Sequence, residues 1–205
     1  RHRPQPGLVL ERWGTWSGEA EEENGFEMPN TLCDAVFAAA SLHLFHSLGE
    51  SMVAANLAQP VNVLQCLVKT DGESVIKTPT YYAFQMLQPH QGATAVGFEV
   101  DSPTFDVSGL SFDQLSPSVS RGEDGRVFVS LINRSPTETL DVRVCDAAGE
   151  PVRLEEARTL QAQSLAGQNF PDRPNQVSPR RPDDDRIEFP RQMPAASILA
   201  GYVAQ

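Results

Sequence analysis

The sequence predicts an α/β half followed by an all-β half, and three observations lead to this fold class. Residues 7–91 alternate between continuous apolar runs and segments of helical periodicity, which is typical of parallel strands covered by helices. From about residue 93, apolar residues recur at every second position, which is typical of antiparallel strands. Polar turns such as residues 146–149 separate these short runs. The second half is therefore expected to be an antiparallel β-sandwich.

The first half is predicted to run strand, helix, strand, helix. The opening strand begins at Gly7, and the first helix is expected from a cap at Asn30 or Thr31 to Gly49. Its apolar positions recur at spacings of three and four: Leu32, Val36, Ala39, Ala40, Leu44 and Leu48. Residues 52–57 form a candidate buried strand.

A further apolar run covers residues 61–68, and Asp71-Gly72 predicts a turn after it. Pro79 is placed to start a short amphipathic helix that ends near Gly92. In the second half, strands are expected at residues 126–133, 139–144, 185–189 and 197–203. Residues 161–183 are rich in Pro, Gln and Asn, and this composition predicts a long surface loop.

The charge of the chain disfavours nucleic acid and membrane partners. The net charge is −11, from 16 basic and 27 acidic residues, and neither half is basic. Binding to a phosphate backbone requires a concentrated positive surface, which is not found here. No apolar run approaches the roughly 18 residues of a membrane span. Three widely separated cysteines fit a reducing cytoplasm, since an odd number so spaced forms no disulfide framework.

Neither a metal site nor a cofactor is expected. His43 and His46 stand three apart on the first helix without a supporting acidic residue or cysteine, so packing is favoured over metal binding. Cys66 lies in an apolar run and is interpreted as a small buried residue rather than a nucleophile. The acidic runs at 21–23 and 183–185 are interpreted as solvated loops, because they have no alternating ligand spacing.

The strongest functional indication is the opening strand, GLVLERWGTW, which runs into Glu11, Arg12 and two tryptophans. This segment resembles the V-D-E-W-G strand of the α-L-arabinofuranosidases of glycoside hydrolase family 51. GFEMPNTLCDAVFAAASLHLFH resembles the helix that follows in that family, and ANLAQPVNVLQCLVKTDG resembles its eighth barrel strand. TPTYYAFQMLQPHQ resembles the segment leading out of the barrel, and residues 169–177 resemble a loop of the terminal sandwich.

The resemblance implies a retaining hydrolase with two glutamates on a (β/α)8 TIM barrel, followed by a jelly-roll-like β-sandwich. Residues 1–91 would then be the last βα units of the barrel, and residues 92–205 the sandwich. The substrate implied is an arabinofuranosyl-containing oligosaccharide of the arabinan or arabinoxylan type. The acid/base glutamate would lie upstream of this chain, which opens with RHRPQPG and no initiator Met. We therefore expect the missing barrel strands to come from a longer chain or a partner, which includes a homo-oligomer.

The nucleophile of the family is the glutamate directly before the tryptophan, and Arg12 occupies that position here. An arginine stays protonated and cannot form a glycosyl ester, so the isolated chain is expected to be inactive. Glu11 is an unlikely substitute, because a one-residue shift along a strand reverses the side-chain direction unless the strand bulges. A plain ion pair of Arg12 with Glu11 is the alternative interpretation.

Two further positions match substrate contacts of the family. Trp13 corresponds to the aromatic residue beside the nucleophile, and Gln59 corresponds to a glutamine that contacts the sugar. Packing of Trp13 and a loop role for the Gln59 amide are the alternatives. A second functional hypothesis is a degenerate, non-catalytic relative, or a sandwich that acts as a carbohydrate-binding or scaffold module.

Overall fold

The computed structural model describes residues 6–183 and 185–204. Two helices, α1 (Leu32–Ser47) and α2 (Pro79–Leu87), lie among short strands. The strands of the first half are β1 (Leu8–Trp13), β2 (Met52–Leu57), β3 (Val68–Asp71) and β4 (Ser74–Lys77). Those that follow are β5 (Thr94–Ala95), β6 (Thr104–Val107), β7 (Leu110–Asp113), β8 (Leu115–Arg121), β9 (Val127–Asn133) and β10 (Leu140–Val142). The last are β11 (Arg153–Leu160), β12 (Arg186–Glu188), β13 (Arg191–Met193) and β14 (Ser197–Val203).

The chain is mostly β-sheet with few helices, as the second half of the sequence predicts. A six-stranded antiparallel sheet has the order β12-β11-β14-β9-β8-β5, and β10 pairs with β13 in a second layer. Hairpins β3–β4 and β6–β7 stand apart from that sheet. Within the described residues, β1 and β2 form a two-stranded parallel sheet rather than a closed barrel.

The two faces of the six-stranded sheet are covered differently. One face packs Val129, Leu131 and Leu199 against the β10–β13 layer. The other face packs Phe128, Ile132, Leu160, Ile198 and Ala200 against apolar residues of α1 and α2. Burial of this apolar surface is the main force that holds the helices on the sheet. The six-stranded sheet therefore separates two apolar cores, one shared with the helices and one shared with the β10–β13 layer.

Helix α1 begins and ends close to the predicted positions. Thr31 is the N-cap residue, and its backbone N–H donates to the Asp34 carboxylate over 2.7 Å. This bond satisfies one of the free donors at the helix start. Helix α2 starts at Pro79, as expected, and the Thr78 hydroxyl caps it by accepting from the Tyr81 N–H over 3.2 Å.

Two segments differ from the sequence-based expectation. Residues 61–66 form no regular strand, because Asn62 and Leu64 adopt left-handed backbone angles of 61° and 53°. The loop at 161–183 is not simply a surface loop, since Val177 is fully buried and Asn169 is nearly so. The Asn169 amide donates to the carbonyls of Lys77 and Val177 over 2.9 Å each. These bonds fix the loop against the first half of the chain.

Candidate functional site

The carboxyl ends of β1 and β2 meet at one edge of their parallel sheet. The Ala58 N–H donates to the Trp13 carbonyl over 2.9 Å, directly after both strands have ended. Glu11 and Arg12 oppose Asn56 just before this end of the sheet, and Gln59 follows β2 by two residues. Ligand-binding residues of parallel α/β folds are found at this end of the strands. We refer to Glu11, Arg12 and Gln59 as the strand-end site.

Strand β1 carries an irregularity at the position where the sequence places the nucleophile. Leu10 pairs with Ala55 and Trp13 pairs with Leu57, so Glu11 and Arg12 together oppose one residue of β2. An extra residue of this kind disturbs the strict alternation of side chains along a strand. Both side chains are exposed to solvent. The alternation of side chains along a strand places Glu11 on the face opposite to Arg12 unless the strand bulges. Since β1 does bulge here, the side chain of Glu11 could point to the face expected for Arg12.

Trp13 lies in the core rather than on an open surface. Its side chain is 9% exposed, stacks on Phe84 with ring centroids 5.8 Å apart, and meets Phe45 edge-on at 5.2 Å. Such aromatic pairs contribute about 0.5–1.5 kcal/mol beyond their buried area. The indole N–H is buried and has no hydrogen-bond partner among the described residues. Trp16, in contrast, is 65% exposed. The packing role of Trp13 is thus clear, whereas a sugar contact by Trp13 stays a prediction.

Gln59 is half-buried and follows β2 by two residues. This position places its amide at the strand-end site, where the sequence predicts a sugar contact. An amide offers both donors and an acceptor, which suits a ligand rich in hydroxyl groups. The same end of the β1–β2 sheet therefore carries a carboxylate, a cation and an amide.

A buried polar network beneath this site was not foreseen from the sequence. The Asp34 carboxylate accepts from the Thr15 hydroxyl over 2.5 Å and from the Thr31 hydroxyl over 2.8 Å. The Thr15 N–H donates to Gln65 Oε1 over 2.8 Å, and Gln65 Nε2 donates to the Asp34 carbonyl over 2.7 Å. These bonds join the loops after β1 and β2 to the start of α1. The one available signal was Asp34 in the first helical turn.

The histidines form a second buried cluster, between the helices and the sheet. His43 Nε2 and His90 Nε2 each lie 2.7 Å from the Ser130 hydroxyl, and the rings of His46 and His90 are 4.9 Å apart. Burial is the main cause that lowers the pKa of both His43 and His90 to about 3. Burial also lowers the pKa of His46. No role for His90 could be predicted from the sequence, because its partners Ser120 and Ser130 are distant in the chain.

The remaining sequence-based expectations concern metals, cysteines and acidic runs. No group of histidine, cysteine and acidic side chains within residues 6–183 and 185–204 has a metal-binding arrangement. Cys66 is buried, and burial raises the pKa of its thiol. Glu22 and Glu23 are exposed on a short 3-10 turn. Asp184, in the second acidic run, lies outside the described residues.

In the described part of the chain, neither helix combines the length and the apolar character needed to cross a bilayer.

Comparison with known proteins gives consistent relatives. The family described as the alpha-L-arabinofuranosidase C-terminal domain matches residues 12–197. An intracellular exo-alpha-L-arabinofuranosidase of Bacteroides ovatus is 31% identical over 201 residues, which are 94% of this chain and 38% of that protein. An exo-alpha-(1->6)-L-arabinofuranosidase of Bifidobacterium longum is 26% identical and is matched over 83% of this chain and 35% of its own length. The chain thus spans less than two fifths of these relatives.

Two of the solved structures that resemble this chain are also arabinofuranosidases. The arabinofuranosidase of glycoside hydrolase family 51 from Xanthomonas axonopodis pv. citri superposes with a TM-score of 0.79 at 26% identity, over 97% of this chain and 41% of that one. An alpha-L-arabinofuranosidase of Thermotoga maritima, solved with arabinose, shares the fold with a TM-score of 0.75 at 23% identity, over 96% of this chain and 43% of that one. The chain therefore belongs to the α-L-arabinofuranosidase C-terminal domain family and corresponds to the C-terminal portion of family 51 arabinofuranosidases.

Proposed function

We propose that this chain supplies part of a retaining α-L-arabinofuranosidase, with a substituted nucleophile position that leaves the chain inactive by itself. The observation that carries the proposal is the strand-end site, where Arg12 lies next to the last residue of β1 and Gln59 follows the adjacent parallel strand β2. The substrate class is a terminal α-L-arabinofuranosyl unit of an arabinan or arabinoxylan-type saccharide. The relatives support this class, since those reported above are arabinofuranosidases.

In this proposal, β1 and β2 are the last two strands of a (β/α)8 barrel formed by residues 1–91 together with further strands. Residues 92–205 form the sandwich. Exposed apolar side chains along β1 and β2 support the proposal that this sheet is incomplete. They belong to Leu8, Val9 and Val53. No described strand pairs with the outer edges of these two strands. Unpaired edges with apolar neighbours are poorly tolerated in water, so additional strands would stabilise them.

The mechanism requires two carboxyl groups about 5–5.5 Å apart, one as nucleophile and one as acid/base. The acid/base would come from outside residues 1–205. The guanidinium of Arg12 cannot attack the anomeric carbon, and its positive charge repels that of the transition state. Gln59 would hold sugar hydroxyls by donating and accepting hydrogen bonds. Trp13 would act by fixing the end of β1 against α1 and α2.

The β1 bulge gives Glu11 a defined alternative role. If the bulge turns the Glu11 carboxylate toward the sugar, then Glu11 replaces the missing nucleophile and the protein retains activity. One experiment distinguishes an inactive protein from one in which Glu11 is the nucleophile. Hydrolysis of an aryl α-L-arabinofuranoside is measured for the chain in its native polypeptide and for its Arg12→Glu, Glu11→Gln and Arg191→Glu variants.

We expect a negligible rate for the native sequence and an increase of several orders of magnitude for Arg12→Glu. Arg191→Glu serves as the matched control, because Arg191 is an exposed arginine on β13. It should leave the rate unchanged. A high native rate that Glu11→Gln abolishes would instead assign the nucleophile to Glu11. An Arg12→Glu rate equal to the native rate would refute the position assigned to Arg12.

The location that fits best is the cytoplasm. Three unpaired cysteines, of which Cys33 and Cys145 are exposed, are compatible with a reducing compartment. The relative from Bacteroides ovatus is described as intracellular, which supports the same location. The missing strands would be supplied by the same polypeptide or by a partner, which includes a second copy of the chain.

A non-catalytic role is the second candidate, and the guanidinium at the nucleophile position favours it. Such a protein would bind arabino-oligosaccharides without hydrolysing them. Calorimetric titration with arabino-oligosaccharides, followed by product analysis, separates the two roles. Binding without turnover, in a polypeptide that also contains an acid/base glutamate, supports the non-catalytic role.

A further inference from the structure

Strand β11 contains a bulge where it pairs with β14. Glu155 pairs with Tyr202 and Arg158 pairs with Ala200, so Glu156 and Ala157 together oppose Gly201. Glu156 has a left-handed backbone with φ of 52°. A non-glycine residue in this region is strained and persists only where its surroundings hold it. Bulges of this type often re-aim a side chain beside a functional site.

The bulge changes which face of the sheet the following side chains point to, as the leucines on either side of it show. Leu154 and Leu160 are six residues apart, so a regular strand would point both toward the same face. Instead, Leu154 packs in the core beneath the β10–β13 layer, and Leu160 packs in the core beneath the helices. The extra residue has reversed the alternation between them. Arg158, two residues before Leu160, is thereby turned to the side that faces the helices.

On that side, Arg158 lines a cavity of about 260 Å³ between α2 and the sheet. The apolar wall of the cavity comes from Met86 and Pro89, and its floor includes Phe128. The Gln85 amide stands on the helix side, and Glu156 joins Arg158 on the strand side. Ligand pockets typically combine an apolar lining with a few converging polar groups. Because the usual range is about 300–1,000 Å³, this cavity suits a single small unit.

The Glu156 carboxylate is held in place by neighbouring side chains. Arg126 Nη2 lies 2.5 Å from Glu156 Oε1, and the Arg126 guanidinium lies over the Tyr202 ring at 3.7 Å from its centroid. Charge-assisted pairing and cation–π contact both fix the orientation of these groups. Tyr202 also lines the cavity. The acceptor at the cavity mouth is therefore pre-organised, which lowers the entropy cost of binding a ligand there.

We propose that this cavity binds one monosaccharide unit of a neutral oligosaccharide. A sugar hydroxyl both donates and accepts hydrogen bonds, so it can donate to Glu156 and accept from Arg158 while the ring lies against Met86 and Pro89. A simple anion attracted to Arg158 would be repelled by Glu156, two residues away on the same strand. The Gln85 amide offers both kinds of bond to a further hydroxyl. This function goes beyond the proposed one, since the cavity includes no residue of the strand-end site.

The test uses the chain in its native polypeptide with Gln59→Ala in every variant, so that binding at the strand-end site is weakened throughout. L-arabinose and arabinobiose are titrated and followed by saturation-transfer NMR. Arg158→Ala should weaken binding about tenfold or more, as expected for the loss of a hydrogen bond to a charged group, and Gln85→Ala should weaken it by about threefold to tenfold, as expected for a neutral one. Arg153→Ala is the matched control, because Arg153 lies on the same strand and pairs with Glu188 outside the cavity. It should leave the dissociation constant within twofold.

Three results would overturn the proposal: no saccharide binding in the Gln59→Ala background, equal binding with and without Arg158→Ala, or binding of inorganic phosphate in preference to the sugars. None of these depends on hydrolysis. The proposal therefore stands or falls separately from the activity assigned to the strand-end site.

Discussion

The Thr15 hydroxyl donates to the Asp34 carboxylate over 2.5 Å and joins the loop after β1 to the first turn of α1. Asp34 also accepts from the backbone N–H and the hydroxyl of Thr31. This single buried carboxylate therefore caps the helix and positions the segment that follows Arg12 and Trp13. Its contribution is larger than that of an exposed cap, because Asp34 is buried and its donors are partly shielded from water.

Asp34→Ala should lower the free energy of unfolding by about 2–3 kcal/mol, since it leaves three partly buried donors without an acceptor and removes the helix cap. Chemical denaturation followed by circular dichroism measures the change. Asp106→Ala is the control, because Asp106 is exposed on β6 and should change stability by less than about 0.5 kcal/mol. Equal effects of the two substitutions would contradict the role given to Asp34.

Acidification should destabilise the protein through His43 and His90. Burial lowers the pKa of both rings to about 3, and the nearby charges of His46 and Arg134 act in the same direction on His43. Unfolded histidines titrate near 6.5, so between about pH 6.5 and 3 the unfolded chain binds protons that the folded chain does not. Stability is therefore unaffected by these groups above that window and falls as the pH decreases through it.

Each histidine should contribute a slope of about 1.4 kcal/mol per pH unit within this window. His90→Gln retains a hydrogen-bonding amide but cannot titrate, so it should remove about half of the slope contributed by the pair. Unfolding by urea at several pH values between 7 and 4 measures the difference between wild type and variant. Parallel curves for the two proteins would show that His90 is not buried in its neutral form.

The two tryptophans should respond oppositely to a polar quencher. Trp13 is buried against Phe45 and Phe84, whereas Trp16 is mostly exposed. Trp16→Phe should therefore leave blue-shifted fluorescence that acrylamide quenches poorly, and Trp13→Phe should leave the reverse. Trp13→Ala should in addition cost about 3–5 kcal/mol of stability. Efficient quenching of Trp13 would show that its ring is exposed at the surface, which would favour a direct contact of this ring with the sugar over a packing role.

The bulge in β11 should make Gly201 intolerant of a side chain. A Cβ at this position would lie 3.0 Å from the Glu155 carbonyl oxygen and 3.1 Å from the Ala157 Cα, both of which are backbone atoms. Gly201→Ala should therefore destabilise the protein by about 1–3 kcal/mol. Gly18→Ala is the matched control, since nothing lies within 4 Å of its added Cβ. A neutral effect of Gly201→Ala in thermal unfolding would argue against the bulge geometry.

Local signals in the sequence were sufficient for much of the fold. The Thr31 cap and Gly49 bracket α1, and the alternating run at residues 197–203 coincides with β14. Pro79 marks the first residue of α2. In each case the information lies within a few neighbouring residues: a cap, a helix breaker or a period of two. Such signals do not depend on the rest of the molecule.

Features that depend on distant partners were missed. Strand β11 was not predicted, because four of its eight residues are charged and its bulge breaks the alternation between Leu154 and Leu160. Strand β8 was missed as well, since its serines look like turn residues until His43 and His90 meet them across the core. The β1 bulge at Glu11 and Arg12 likewise depends on its pairing with β2. No pattern within one segment reports such contacts.

The assignment of position 12 can be tested by covalent trapping. The native polypeptide and its Arg12→Glu variant are incubated with a 2-deoxy-2-fluoro arabinofuranoside that carries an activated aryl leaving group. The leaving group departs without an acid, the fluorine slows hydrolysis of the ester, and the labelled peptide is mapped by mass spectrometry. We predict a glycosyl ester at position 12 in the variant and none in the native protein. An ester on Glu11 in either protein, or no ester in the variant, would contradict this assignment.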